Sequence, residues 1–364
     1  MASYEKHANG TWSVRFRTTE NFEIIQKRLR GFKTKKEAEN AYIEYMNQAE
    51  EEKVNKISFE ASGLKFKELY EEFLAYQKSR IKESSYVDLI NKSELHILPF
   101  FEKYPVLQIS PKAILQWQNT LDRFSYKYKS LIRTYLHGML KYAERYYKIP
   151  NQIKYVDPFK NLETKQEMQI WNEDEFIKFI SKVDRIDYKA FFSALYLTGA
   201  RKGEVLASYW SDWDLEKKTL NINKNVSRKV LGKDKRYSLT TPKNKSSFRK
   251  ISLPDNLVKI MKDYKDSLLE PLPNHFAFGG EQPTASSSID NYYNAKCKSA
   301  EVNRIRLHDF RHSHASYLIS KGVSIVAVAK RLGHTNIEQT LNTYSHLLKN
   351  DESDLVNKLQ NINI

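Results

Sequence analysis

A single cysteine, Cys297, stands in 364 residues. It excludes an internal disulfide and a multi-cysteine zinc site, and it suits a reducing compartment. No apolar run approaches the ~20 residues needed to span a bilayer. The opening stretch MASYEKHANGTW is polar and lacks the apolar centre of a signal peptide. No concentrated basic amphipathic helix of the membrane-surface kind stands out, and no repeat or low-complexity tract appears. Acidic residues are the minority charge, 44 Asp+Glu against 60 Lys+Arg, for a net +16 and a pI of about 9.4. Such an excess points to a polyanionic partner, nucleic acid first. The expectation is a cytoplasmic, DNA-seeking protein, nucleoid-associated in a bacterial host, with no membrane partner.

What is present suffices for packed cores. Hydrophobic residues make up 40% of the chain, with 23 Tyr and 18 Phe, and the length suggests two or three domains. The expected fold is multidomain, mainly α with small β-sheets. The first piece, 1–57, alternates along Thr11-Trp12-Ser13-Val14-Arg15-Phe16-Arg17. This predicts a half-buried strand with Trp12, Val14 and Phe16 inside and Ser13, Arg15 and Arg17 outside. Gln26–Phe32 reads as a second strand, and Thr34-Lys35-Lys36-Glu37 as the capping box of a helix. A small sheet plus helix with a cationic face suits a DNA groove, and Arg15, Arg17, Lys27, Arg28 and Arg30 are the candidate contacts. Glu50-Glu51-Glu52 and Ala61-Ser62-Gly63 read as a linker. The second piece, 64–150, is expected to be helical, with Pro111 opening one helix. Phe124–Tyr147 forms another. Basic residues among its tyrosines suit a DNA backbone, which nominates Lys127, Lys129 and Arg133. The third piece, 165–364, mixes helices with an expected hairpin, Tyr237–Pro242 and Phe248–Leu253 about the turn Lys243–Ser246.

The densest chemistry lies in Arg306–Leu318, RLHDFRHSHASYL. On a helix, Leu307, Phe310, His314, Tyr317 and Leu318 share an apolar face. His308, Arg311 and His312 share another. His314 therefore reads as a core histidine. His308 and His312 have a spacing that metal pairs use, but Arg311 between them would repel a dication. Histidine plus arginine without carboxylates suits an anion, and an arginine fork suits a phosphate.

Four further stretches surround this one: TGAR at 198–201, TPKNK at 241–245, LGH at 332–334 and NTYSHL at 342–347. Their order and spacing, with HDFR at 308–311, resemble the catalytic domain of the tyrosine recombinases, the phage-integrase family. The likeness covers about Lys165–Leu348 closely. Upstream it extends as an arm-binding domain (1–57) and a helical core-binding, SAM-like domain (64–150), followed by the catalytic domain with a docking tail (165–364).

The resemblance implies site-specific DNA recombination through a 3′-phosphotyrosyl intermediate, with no metal, ATP or other cofactor. Tyr344 would be the nucleophile. Arg201 and Arg311 would hold the nonbridging oxygens of the transition state. His308 would be the acid/base partner, and His334 would hydrogen-bond the phosphate. Lys243, or Lys245 in the same turn, would protonate the leaving 5′-oxygen. Glu204 would orient Arg201 or merely start a helix. The implied partners are double-stranded attachment sites, a homo-tetramer on DNA, and accessory DNA-bending or directionality proteins. The tail after Tyr344 would dock on a neighbouring subunit or fold back on its own domain. Rival readings are a type IB topoisomerase, a non-catalytic DNA-binding regulator on the same fold, and a metal-dependent phosphodiesterase. The last lacks the acidic cluster such chemistry needs.

Overall fold

The computed structural model describes residues 2–20, 23–163, 168–232, 236–241, 247–334 and 336–344. The chain divides into two compact units, 1–163 and 164–364.

The first unit opens with an antiparallel sheet of β1 (Ser3–Lys6), β2 (Trp12–Glu20) and β3 (Glu23–Phe32), in that order. The expected alternation holds for Val14 and Phe16, which are buried against Ala38, with the Tyr42 and Tyr45 rings about 5 Å from that of Phe16. Ser13 departs from it. The β2–β3 register shifts between Trp12 and Ser13, and Ser13 is buried, accepting from Arg28 Nε at 3.2 Å. Helix α1 (Lys35–Gly63) is capped as expected, with Glu37 N–H donating to Thr34 Oγ1 at 3.1 Å. It runs through the stretch read as a linker, which is therefore helical.

The helical part has α2 (Phe66–Lys78), α3 (Glu83–His96), the single turn α4 (Leu98–Phe101), α5 (Pro111–Asn119) and α6 (Tyr126–Tyr147). Ser110 caps α5 by accepting from Ala113 N–H at 3.2 Å, and Pro111 supplies the first turn. Phe66, Phe101, Trp117, Ile132 and Leu136 form a separate apolar core.

The second unit carries α7 (Glu173–Ser181), α8 (Ile186–Thr198), α9 (Lys202–Ala207), and strands β4 (Trp213–Asp214), β5 (Thr219–Ile222), β6 (Asn225–Ser227), β7 (Ser238–Thr240) and β8 (Arg249–Ser252). Helices α10 (Asp255–Asp266), α11 (Ser286–Ser299), α12 (Asp309–Ser320), α13 (Ile325–Leu332) and α14 (Ile337–Tyr344) follow. The expected strands near the 243–246 turn exist, but they do not pair with each other. β7 pairs with β6, and β8 joins the sheet β4-β5-β8. The reason is burial. Ile251 of β8 sits opposite Leu220 of β5 and both are buried, whereas Leu239 of β7 is exposed. The turn itself, 242–246, lies outside the described residues, as does the tail after Tyr344.

Helix α8 is apolar on nearly every side and sits in the core. Phe310 of α12 anchors to it, its ring centroid 5.2 Å from Trp171, 5.8 Å from Tyr293 and 6.2 Å from Phe192. This contact fixes the helix whose other side carries Arg311 and His312. Phe310→Ala should lower stability by about 3–5 kcal/mol. The check is a urea titration with a lowered midpoint and an unchanged slope.

Candidate active site

The turn after α8 is built for an arginine. Thr198 is fully buried, and its Oγ1 accepts from Ala200 N–H at 3.1 Å. Gly199 has φ +65°, and a Cβ there would lie 2.5 Å from His314 Cδ2. Only glycine meets both demands. Arg201 then starts α9, half-exposed, with Nη1 donating to Glu204 Oε1 at 2.7 Å.

Glu204 settles the choice its sequence context left open. It closes the N-terminus of α9 by accepting Arg201 N–H at 2.9 Å, and it also holds the Arg201 side chain. The same carboxylate accepts from Arg249 Nη2 at 2.9 Å and Nη1 at 3.3 Å. Glu204 is buried, which by itself would raise its pKa. The Arg249 hydrogen bonds and charge, then those of Arg201, outweigh this and hold it below the usual carboxylate value.

Arg311 is 3% exposed. Its Nη1 donates to Gly199 O at 3.0 Å and its Nη2 to Leu332 O at 2.7 Å. Among the described residues no carboxylate pairs with it directly. Burial, then the Arg201 and Arg249 guanidiniums, push its pKa down to about 9, still cationic at neutral pH.

Helix α13 ends at Gly333, φ +72°, and the chain turns to bring His334 into the site. His334 Nδ1 lies 2.7 Å from Thr340 Oγ1. Helix α14 begins where Asn336 Oδ1 accepts Glu338 N–H at 2.9 Å; Thr335, read as part of that cap, lies outside the described residues. At the end of α14, Tyr344 is 1% exposed, its ring among Ala315, Ile319, Val328 and Leu332. Its Oη is 2.6 Å from His312 Nδ1. Burial pushes the phenol up to about 12, with Arg311 pulling the other way.

Four histidines here are held neutral at pH 7. Burial is the first cause in each case, and nearby cations add to it. His312 and His334 fall to about 4, His314 to about 3, and His308 is also lowered. His314 is the core histidine expected, accepting from Arg331 Nε at 3.0 Å. His308 is exposed just ahead of α12, its ring edge-on to His312 at 5.4 Å.

The structure thus gathers Arg201, His308, Arg311, His334 and Tyr344 in one place, while Lys243 and Lys245 lie outside the described residues. Two members were not foreseen. Arg249 carries no local signal that separates it from the other basic residues, and only the β5–β8 pairing brings it to Glu204. His312 was placed on the cationic face, but its bond to Tyr344 depends on where α14 packs.

The candidate DNA contacts divide. Arg15, Arg17, Arg30 and Lys127 are exposed. Arg28 pairs across the sheet with Arg15 and bonds Glu5. Strand alternation puts Lys27 beside Phe16 on the face that packs on α1, and its Nζ donates to Tyr45 Oη at 2.9 Å. Arg133 is likewise turned inward, donating to Gln118 Oε1 at 2.8 Å and Val156 O at 2.6 Å. Lys129 reaches Asp122 at 3.4 Å and covers the Phe159 ring.

A buried guanidinium, a half-exposed one, neutral imidazoles and a sequestered phenol thus share one cationic site. The chain belongs to the phage integrase family: the model of that family matches residues 160–351. The N-terminal SAM-like domain of phage integrases matches 65–121, and an arm DNA-binding domain matches 2–49. The ICEBs1 integrase of Bacillus subtilis strain 168 is 29% identical over 350 residues, 90% of each chain. A XerC-like tyrosine recombinase of Caldanaerobacter subterraneus is 26% identical over 378 residues, 94% of this chain and 93% of that one. In fold, the chain resembles the Tn1549 transposon integrase in complex with circular intermediate DNA, with a TM-score of 0.65 at 15% identity over 81% of this chain and 99% of that one. It also resembles a lambda integrase tetramer bound to a Holliday junction, with a TM-score of 0.60 at 15% identity over 92% and 95%.

The Glu204 clamp generates a stability prediction. Glu204→Gln leaves Arg249 buried without its counter-charge and should cost about 3–5 kcal/mol at pH 7. A carboxyl whose folded pKa lies below its unfolded value stabilises fully above the unfolded value. That stability is lost as pH falls through the folded pKa. The gap between wild type and Glu204→Gln should therefore shrink below pH ~4, as measured by denaturant melts across pH.

Proposed function

We propose that this tyrosine recombinase cleaves and rejoins double-stranded DNA at attachment sites of a phage or integrative mobile element. What supports the reading is the convergence of the Tyr344 phenol with Arg201, Arg311 and His334 in one partly buried, cationic site.

In this mechanism Tyr344 Oη attacks a backbone phosphorus. The bond to the 5′-oxygen breaks, leaving a 3′-phosphotyrosyl link and a free 5′-hydroxyl. Arg201 and Arg311 bind the nonbridging oxygens as charge builds on them. Arg311 suits this role because its burial excludes water and backbone carbonyls hold it without neutralising it. His334 donates to the same phosphate, and Thr340 fixes its ring. Lys243, with Lys245 as the alternative, protonates the leaving 5′-oxygen. His308, exposed just ahead of α12, is the acid/base candidate that the family resemblance supplies. A 5′-hydroxyl from a second duplex then reverses the chemistry. The link conserves the ester energy, so the reaction needs no nucleotide.

The division of labour is an arm-binding domain over 1–57, a core-binding domain over 64–150 and a catalytic domain over 165–364. Arg15, Arg17, Arg28 and Arg30 offer the cationic sheet face, and Lys127 an exposed position on α6. Assembly as a tetramer on DNA, accessory bending or directionality proteins, and a cytoplasmic location belong to the same reading. No helix among the described residues is long and apolar enough to cross a membrane.

The test is a nicked duplex carrying the attachment site of the encoding element, incubated with protein in EDTA without nucleotide. Wild type should give a covalent protein–DNA band on a denaturing gel, and Tyr344→Phe none. Arg311→Lys should lower the cleavage rate about 100-fold or more while duplex binding persists. Tight binding with no covalent band from wild type would leave only a DNA-binding regulator.

A further inference from the structure

The Tyr344 proton needs a destination. On the resemblance alone His308 would receive it, but the geometry assigns that contact differently. Tyr344 Oη lies 2.6 Å from His312 Nδ1. Among the described residues no hydrogen bond holds the His308 ring, which stands exposed and edge-on to His312. His312 sits one residue beyond Arg311, on the first turns of α12, and Tyr344 closes α14 over it. The Tyr344 ring packs in an apolar cluster, and Arg311 and Asp309 act on the phenol by charge.

We propose that His312 is a catalytic residue: it holds the Tyr344 hydroxyl in the resting protein and accepts its proton through Nδ1 as the hydroxyl attacks phosphorus. The inference rests on the phosphotyrosyl reading and goes beyond it. In the forward step the Oη–H bond breaks and its proton moves to Nδ1. The Oη–P bond forms, the P–O5′ bond breaks, and the leaving oxygen takes a proton from the lysine side. On rejoining, the phenolate leaves phosphorus and recovers its proton from His312.

The surroundings make this base quiet until DNA arrives. Burial first disfavours a charged His312; His308 and Arg306 just ahead of α12 and Arg311 on it add to this, while Asp309 favours one. His334 faces the same cluster from the loop after α13. A neutral imidazole against a buried, neutral phenol leaves the proton on oxygen. A bound phosphodiester adds a negative charge, which favours imidazolium, and bond formation to phosphorus makes the phenol far more acidic. Proton transfer then accompanies attack.

The test uses the full chain on the nicked duplex, with 3,5-difluorotyrosine, a more acidic phenol, placed at 344 by suppression. His312→Ala and His312→Gln should both slow covalent cleavage by about 100-fold with duplex binding unchanged. Glutamine can accept the phenol hydrogen bond but cannot carry the proton, so it separates holding from proton transfer. Difluorotyrosine should recover about tenfold or more in both His312 variants and little in His308→Ala. A glutamine variant within threefold of wild type would reduce His312 to a positioning residue and overturn the proposal. So would recovery by difluorotyrosine in His308→Ala alone. Absence of a covalent band from wild type would remove the phosphotyrosyl reading itself and the proposal with it.

Discussion

A guanidinium placed in a protein interior has to be held there, and Arg311 is held by two backbone carbonyls, Gly199 O and Leu332 O. Those carbonyls belong to loops 133 residues apart in the chain, each ending a helix at a left-handed glycine or immediately before one. Burying such a charge without a paired carboxylate is costly. An anion at the site would lower that cost, which is the physical basis of the phosphate-binding role proposed for Arg311. The positions of Arg201 and His334 follow from the same arrangement, since each follows one of the two glycines.

Glu204 keeps that cluster from flying apart. One buried carboxylate holds Arg201 and Arg249, and the second of these also donates to Arg331 O at 2.9 Å. Arg331 in turn reaches His314 and Leu197 O. Three guanidiniums, a carboxylate and a core histidine thus form one network linking α8, α9, β8, α12 and α13. Networks of this kind tolerate no partial loss, because each missing partner leaves a buried polar group unsatisfied. The apolar contribution is on the far side of α12, where Phe310 meets the aromatic core, so the helix is fixed by packing and its chemistry faces inward to the cluster.

Tyr344 is stored rather than displayed. Its ring joins the apolar side chains of α12 and α13, and its hydroxyl meets a neutral imidazole. Charge alone would not choose this arrangement, because Arg311 favours a phenolate. Desolvation outweighs it and keeps the proton in place.

Local sequence determined the parts with short-range causes. Helix caps at Thr34 and Ser110, the glycine stops at 199 and 333, and the alternation that buries Val14 and Phe16 all depend on neighbours within a few residues. Arg201, His308, Arg311, His334 and Tyr344 were nominated by the resemblance of their ordered motifs to the tyrosine recombinases, and the fold brings the five together. Tertiary structure alone decided the rest. Whether β7 met β8 or β6 depended on which strand could bury its apolar residue. Lys27 and Arg133 read as surface cations until their partners, Tyr45 and Gln118, were brought near. Arg249 reached Glu204 across 45 residues, and His312 reached Tyr344 across 32. A hydrogen bond between distant residues leaves no periodicity or spacing in the chain, because its direction is set only when the helices and sheets carrying both ends have packed.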